Sequence, residues 1–357
     1  MGVTTGAPLP SRLVRRLRAR PSPRTLRGFA IASLAANLLL VVSGGVVRLT
    51  ASGLGCPTFP RCTEQSLVPT AEMGVHGLIE FGNRMLTFVL AAVAVATLVV
   101  AWRVRPARRD VRRLALLLAF SIPVQALIGG VVVLTELNPW TVMLHFLASL
   151  VLVGLATVLM QRAIEGDEPA QPVAGRPLRR MALLTLLVAA ATVYAGAVVT
   201  GTGPHAGDRD ARRTGLDLLW VTQLHADLVF LLVGLSVGLL VLAHAVHAPR
   251  RAIRAAWVLV AVEAAQAVIG YTQYFTGLPI VLVAVHMLGS GLLVAAATDA
   301  WLATRARGPV AGSTLGGADE RGDRGGLVEV THQVVDVAGP SGGVSADEPH
   351  PTGPDRH

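Results

Sequence analysis

The sequence predicts an all-α integral membrane protein: eight transmembrane helices, built as two tandem four-helix bundles related by a pseudo-twofold axis along the membrane normal. Three observations predict it. Hydrophobic residues make up 52% of the 357 residues and charged ones only 15%, with a mean hydropathy of +0.58, a balance that belongs to polytopic membrane proteins. Eight segments almost free of charge recur, each near the ~20 residues needed to cross ~30 Å of hydrocarbon. The chain also repeats itself at the scale of four helices.

The apolar segments run roughly over 28–47, 78–102, 114–135, 140–161, 181–200, 217–247, 255–275 and 279–303. The first follows a basic arm, 1–27, ending in "SRLVRRLRARPSPRTLR". It is too long and too deep behind that arm for a signal peptide, and no small-residue cleavage site follows it. Arginines fill the alternate connections: "RVRPARRDVRR" between segments two and three, "RPLRR" before five, "PRRAIR" before seven and "TRAR" after eight. The connections 48–77, 136–139 and 276–278 carry far less positive charge. The connection between five and six is the exception, where Arg209, Arg212 and Arg213 are offset by Asp208, Asp210 and Asp217.

The positive-inside rule then places the chain in the plasma membrane with both termini cytoplasmic. The net charge of +9 is topogenic and calls for no nucleic acid. The resulting division is an arm (1–27), an N-terminal half (28–162), a cytoplasmic linker (163–180), a C-terminal half (181–305) and a tail (306–357) whose Gly, Asp, Ser and Pro predict disorder.

The repeat lies in "QALIGGVVVLTELNPWTVMLHFLAS" (Gln125 to Ser149) and "QAVIGYTQYFTGLPIVLVAVHMLGS" (Gln266 to Ser290). Gln125 precedes His145 by 20 residues, as Gln266 precedes His286. Upstream, "GGVVRLTASG" from Gly44 echoes "AGAVVTGTGP" from Ala195. Four helices per copy is an even number, so both copies face the same way, which calls for an axis along the membrane normal.

Of ten histidines, those at 332, 350 and 357 fall in the tail, His244 and His247 at an inner helix end and His205 in an outer loop. His76, His145, His225 and His286 stand near the outer ends of the even-numbered helices. Ionisable groups inside a membrane are expensive, so their repetition points to function. Imidazole is a common metal ligand and an axial ligand of haem iron. Two histidines on facing helices would clamp one iron, which predicts two haem-sized sites, one in each half. Zinc fits less well, because each half lacks a third ligand.

Depth separates the four. His145 lies 17 residues from Arg162 and His286 lies 19 from Arg305, whereas His76 is 27 from Arg103, about 40 Å of helix. Asn83, 20 residues from Arg103, has the matching depth, and the repeat offset of 141 carries it to position 224, beside His225. Glu80 has no acidic counterpart in the second copy, which reads "VTQLH". It reads either as a partner of Arg84 at i, i+4 or as a catalytic acid. Cys56 and Cys62, the only cysteines, lie in an outer loop and are expected to pair, either as a staple or as a redox-active couple.

The outer-loop "RLTASGLGCPTFPRC", the "IEFGNR" run and the "LHF…S" and "VHMLGS" helices resemble haem A synthase, over about residues 28–303. The likeness is to an actinobacterial-like variant with Asn in the family's E-x-x-H-R motif. The resemblance implies oxidation of the C8 methyl of haem O to the formyl group of haem A, for cytochrome oxidase assembly. It implies a haem b held by His225 and His286 in the C-terminal half, with substrate haem in the N-terminal half at His145. Glu80 would be the catalytic residue and Arg48 and Arg84 the partners of haem propionates, or else interface anchors.

The motif's histidine position holds Asn83, a poor iron ligand. Either His76 takes that role, with Asn83 keeping a hydrogen-bonding part, or His145 acts alone; we take His76. Implied partners are haem O synthase, an electron acceptor and the lipid bilayer. The rivals are a di-haem b electron-transfer protein oxidising quinol, which leaves Glu80 unexplained, and a transporter, which would carry no haem.

Overall fold

The computed structural model of the protein describes residues 20–173 and 175–308. The basic arm before residue 20, and the tail beyond 308, lie outside the described residues. Eight helices among them are long and apolar enough to cross a membrane: α1 (Pro23–Leu49), α2 (Gly74–Arg103, entered through a 3-10 turn at Ala71–Met73), α3 (Arg109–Leu134), α4 (Pro139–Ile164), α5 (Arg176–Thr202), α6 (Leu218–Ala245), α7 (Arg250–Phe275) and α8 (Ile280–Leu302). The eight expected segments are all helices, and most begin about five residues earlier than the apolar runs. The reason is local. Hydropathy detects the lipid-facing stretch, while the arginine-rich turns before it are already helical.

The starts are written in the sequence. Ser22 caps α1, its Oγ accepting from the Thr25 N–H at 3.2 Å, with Pro23 in the first turn. Asn138 caps α4 and Asp217 caps α6 in the same way. Large apolar side chains such as Phe120 and Val281 point away from the protein, each about two-thirds exposed or more, as lipid-facing residues must.

The turns carry the repeat into backbone geometry. Glu136 and Leu137, between α3 and α4, both have positive φ, as do Gly277 and Leu278 between α7 and α8. The Leu137 N–H donates to the Val132 carbonyl at 3.0 Å, and the Leu278 N–H to the Gln273 carbonyl at 2.7 Å. All of these pairs are 141 residues apart. Glycine suits this left-handed position at 277, while the first copy accepts glutamate there.

Within residues 20–164, α1 packs on α2 and α4, and α3 on α2 and α4; within 176–302, α5 packs on α6 and α8, and α7 on α6 and α8. Contacts between the sets run α1 to α8, α4 to α8 and α4 to α5. The buried core lies mostly toward the arginine-rich end. Leu26, Val111 and Leu159 form one cluster there, and Leu178, Leu239, Leu259 and a run of alanines form another. Small residues let these backbones approach closely, which is how helices pack when lipid offers no hydrophobic contrast.

That same end is laced by ion pairs. Arg108 meets Asp167 at 2.5 Å, Arg162 meets Asp110 and Glu165, and a two-residue antiparallel pair joins Gln171–Pro172 to Arg305–Ala306. The opposite end, which carries the long loops 50–73 and 203–217, is hollow.

Candidate functional site

The hollow is one cavity of about 1830 Å³, room for roughly two ligand pockets of the usual ~300–1,000 Å³. Its walls are mostly apolar. The functional candidates that reach it are Glu80, Asn83 and Arg84 from α2, His145 from α4, His225 from α6, His286 from α8, and Arg48 from α1. Since α2 and α4 are not packed on each other among the described residues, and neither are α6 and α8, the candidates face inward from diagonally opposed helices.

Three histidines stand against glycines. A methyl group at Gly129 would lie 3.4 Å from His145 Cε1, one at Gly270 3.4 Å from His286 Cε1, and one at Gly196 only 2.9 Å from His225 Cε1. Gly129 and Gly270 are again 141 residues apart. The missing side chains give the rings room to stand upright over the cavity. His225 is fixed further, its Nδ1 lying 3.0 Å from the Thr192 carbonyl. A carbonyl only accepts, so Nδ1 carries the proton and Nε2 keeps its lone pair, the state of a metal-ligating imidazole.

The cavity concentrates unsatisfied polarity. Among the described residues, seven buried side-chain atoms lack a hydrogen-bond partner, and six of them belong to residues lining this cavity: Gln125 Oε1, His145 Nδ1, Glu263 Oε2, Gln266 Oε1, Gln273 Oε1 and His286 Nδ1. Buried polar atoms normally find partners, so their convergence marks a ligand-binding space. An apolar-walled cavity with imidazoles on opposed helices suits a flat, apolar, iron-bearing group such as haem.

Glu80 sits at the long-loop end of the cavity and is 5% exposed. Its Oε2 accepts from the Cys56 N–H at 2.6 Å and its Oε1 from Arg84 Nη2 at 2.7 Å. The i, i+4 pair read from sequence is therefore formed, but in the cavity wall and not at an interface. Arg84 also donates to the carbonyls of Cys56 (2.9 Å), Thr58 (3.1 Å) and Arg61 (3.2 Å). Cys56 and Cys62 are joined by a disulfide. Glu80 and Arg84 thus clamp the disulfide loop onto α2, and Phe59 of that loop packs on Gly130 of α3.

Arg84 is committed to four acceptors of this chain. Arg48 similarly reaches over to the last turn of α5 and the segment after it, donating to the carbonyls of Thr200 at 2.8 Å and His205 at 2.7 Å.

His76 and Asn83 part company. His76 is exposed, its Nδ1 lies 2.9 Å from Ser52 Oγ, and it lines a separate cavity of about 520 Å³ with Met73 and Asp208. It does not join His145. Asn83 does reach the large cavity, where its Oδ1 accepts from Ser43 Oγ at 2.7 Å. Two turns of helix separate them, and the loop from 50 to 73 covers the turn that bears His76.

From the sequence, Gln125 and Gln266 entered only as marks of the repeat, and Glu263 was not singled out. Each was visible as a polar residue inside an apolar run. The two glutamines also open the repeated stretches, at equivalent places.

Fold and site together define an eight-helix integral membrane protein with an internal, histidine-lined cavity and a clamped carboxylate at its loop-covered end. Residues 27–207 match the family model COX15-CtaA, described as cytochrome oxidase assembly protein, and the chain belongs to that family. It is 33% identical over 183 residues to the heme A synthase of Lysinibacillus sphaericus (strain C3-41), covering 50% of this chain and 59% of that protein. Against the heme A synthase of Listeria welshimeri it is 28% identical over 178 residues, covering 49% and 58%. Against that of Staphylococcus haemolyticus it is 28% identical over 180 residues, covering 49% and 59%. The matched part thus spans less than two-thirds of each of these relatives. The family match contains Glu80, His145 and the disulfide, and ends before α6.

Proposed function

We propose that the chain is a haem A synthase of the cell membrane, oxidising the C8 methyl of haem O to the formyl of haem A. The observation that carries this reading is the buried carboxylate of Glu80, held by two donors at the wall of a cavity that also receives His145. On this reading the halves are related by a twofold axis along the membrane normal, with both termini cytoplasmic. The first half, 28–162, binds the substrate. The second, 181–305, holds haem b between His225 and His286.

The residues divide the work. His145 binds the substrate iron, and Asn83, not His76, faces the other side of that site; this revises our preference from sequence, because His76 is hydrogen-bonded away from the cavity. Glu80 is held by the Cys56 N–H at one carboxyl oxygen and by the Arg84 guanidinium at the other. A carboxylate has about four acceptor positions, so two remain to face the cavity. A fixed negative charge in an apolar enclosure stabilises positive charge that develops on a methyl carbon losing electrons, and its free lone pairs can take up the protons released.

Arg84 and the disulfide loop position Glu80 and exclude water from that wall. Arg48 fixes the segment after α5 and flanks the propionate end. Haem b, when bound, supplies a one-electron relay away from the substrate.

The test is the haem content of membranes expressing the chain with a haem O source, wild type against Glu80→Gln. Haem A in the wild type and haem O accumulating in the variant support the reading. Haem b alone in both sinks it and favours a di-haem electron carrier.

A further inference from the structure

Glu263 is the second buried carboxylate of the cavity, and nothing in the chemistry above uses it. It is 5% exposed and lies in the middle of α7. Ser236 Oγ of α6 donates to its Oε1 at 2.7 Å, while Oε2 is buried without a partner. It lines the cavity at the α6–α8 side. The position 141 residues earlier is Ile122, so the acid belongs to one half only. An acid in an apolar helix is costly to keep, and one hydrogen bond does not satisfy a carboxylate.

Its depth relates it to the histidine pair. Gly270, which abuts the His286 ring, lies seven residues along α7, about 10 Å at 1.5 Å per residue. Ser236 is eleven residues beyond His225, about 16 Å. Glu263 therefore stands below the histidine layer, near enough for charge and too far for ligation. The helices packed on α7 are α6 and α8. Their titratable groups are His225, Asp227 and His244 on α6, and His286 and Asp299 on α8; of these, only His225 and His286 share the cavity with Glu263. Arg251 and Arg254 lie on α7 itself, toward the arginine-rich end, and Arg251 is paired with Asp299 at 3.0 Å.

We propose that Glu263 is a proton-loading site coupled to electron arrival at the haem held by His225 and His286. This rests on the reading that the second half carries that haem. An electron leaving the substrate methyl, whose C–H proton passes to Glu80, would lower the charge at the His225–His286 site by one on taking its iron from ferric to ferrous, and one proton from solvent, converting the Glu263 carboxylate to the acid at Oε2, would restore it. The charge around that site is then unchanged, which is what a low-dielectric enclosure favours. At about 10–16 Å and an effective dielectric of ~20, a unit charge changes an equilibrium constant roughly six- to sixteen-fold.

The experiment is a spectroelectrochemical titration of the purified haem-loaded protein across pH, for wild type, Glu263→Gln and Ser236→Ala. The wild-type midpoint should fall from an acidic to an alkaline plateau by that six- to sixteen-fold, ~45–70 mV for a one-electron couple. Glu263→Gln, neutral at every pH, should lack this step and stay near the acidic plateau. Ser236→Ala, which removes the bond favouring the anion, should move the step to higher pH.

Coincident curves for wild type and Glu263→Gln overturn the proposal, since haem propionates contribute equally to both. If Glu263→Gln does not retain haem, an unmoved step in Ser236→Ala overturns it instead. A wild type without a low-spin bis-imidazole spectrum refutes the haem reading itself, which is a separate and recognisable failure.

Discussion

Replacing Gly196 by alanine tests the histidine cavity most directly. The new Cβ would stand 2.9 Å from His225 Cε1 and 3.4 Å from Nδ1, closer than real Cβ contacts allow. The ring cannot simply swing aside, because its Nδ1 is bonded to the Thr192 carbonyl at 3.0 Å. Moving it sacrifices that bond, about 0.5–1.5 kcal/mol, and incurs overpacking of about 1–3 kcal/mol. Together these imply roughly 2–4 kcal/mol, or ~30- to 700-fold weaker retention of a ligand that needs the native ring position.

The helix itself gains, since alanine is up to ~1 kcal/mol better than glycine in a helix interior. That offsets only part of the cost, so the variant without haem should still fold, with a lowered thermal midpoint, and should lose haem on purification. Gly129→Ala and Gly270→Ala meet their histidines at 3.4 Å, ordinary contact, and should retain haem within about fivefold. The assay is haem per polypeptide by pyridine haemochrome, with thermal unfolding alongside. Full haem retention in Gly196→Ala, or losses in the order Gly270→Ala above Gly196→Ala, would refute the ring-against-glycine geometry.

Arg84→Lys keeps the charge but not the fork that spans Glu80 and three loop carbonyls; each hydrogen bond lost costs about 0.5–1.5 kcal/mol, so turnover of haem O should fall about tenfold, and proteolysis should cut the loop faster. His76→Ala should leave haem content unchanged, and a loss of the substrate haem there would restore His76 to the site. The double variant Cys56→Ser, Cys62→Ser should loosen the loop and lower the rate while Glu80 keeps its carboxylate; activity that responds to thiol reductants in wild type but is lost outright in the variant would show a redox role instead of a staple.

Much of this was legible because membranes impose crude rules. Eight apolar runs are eight helices, since backbone groups have no other way to bond in lipid. The repeat was legible because its polar marks, Gln125 and His145 against Gln266 and His286, are too costly to persist in lipid without use. What sequence did not disclose was which end of a polar run faces inward. His76 and Asn83 lie on one helical face seven residues apart, and only the fold of the loop over the first turn of α2 separates them. The hidden part of Arg84's role has the same origin: its acceptors are backbone carbonyls of a loop, which no side-chain pattern announces.

The differences between the two halves then have a common logic. A resident cofactor should be held from both sides, and the second half offers His225 and His286 for that. A substrate that must leave as product should be held less tightly, and on the proposed reading the first half offers one imidazole, His145, with Asn83 in the same cavity as a weak ligand. The same half carries the acid, the arginine fork and the disulfide loop, all absent from the equivalent stretch after α5. The second half instead carries Glu263, where the first has Ile122. On the proposed reading, binding strength and proton handling are distributed by substitution at repeated positions. Restoring the ligand tests this: Asn83→His should trap haem in the first half, raising haem content while slowing release of haem A. A variant that gains haem and turns over faster would overturn the argument.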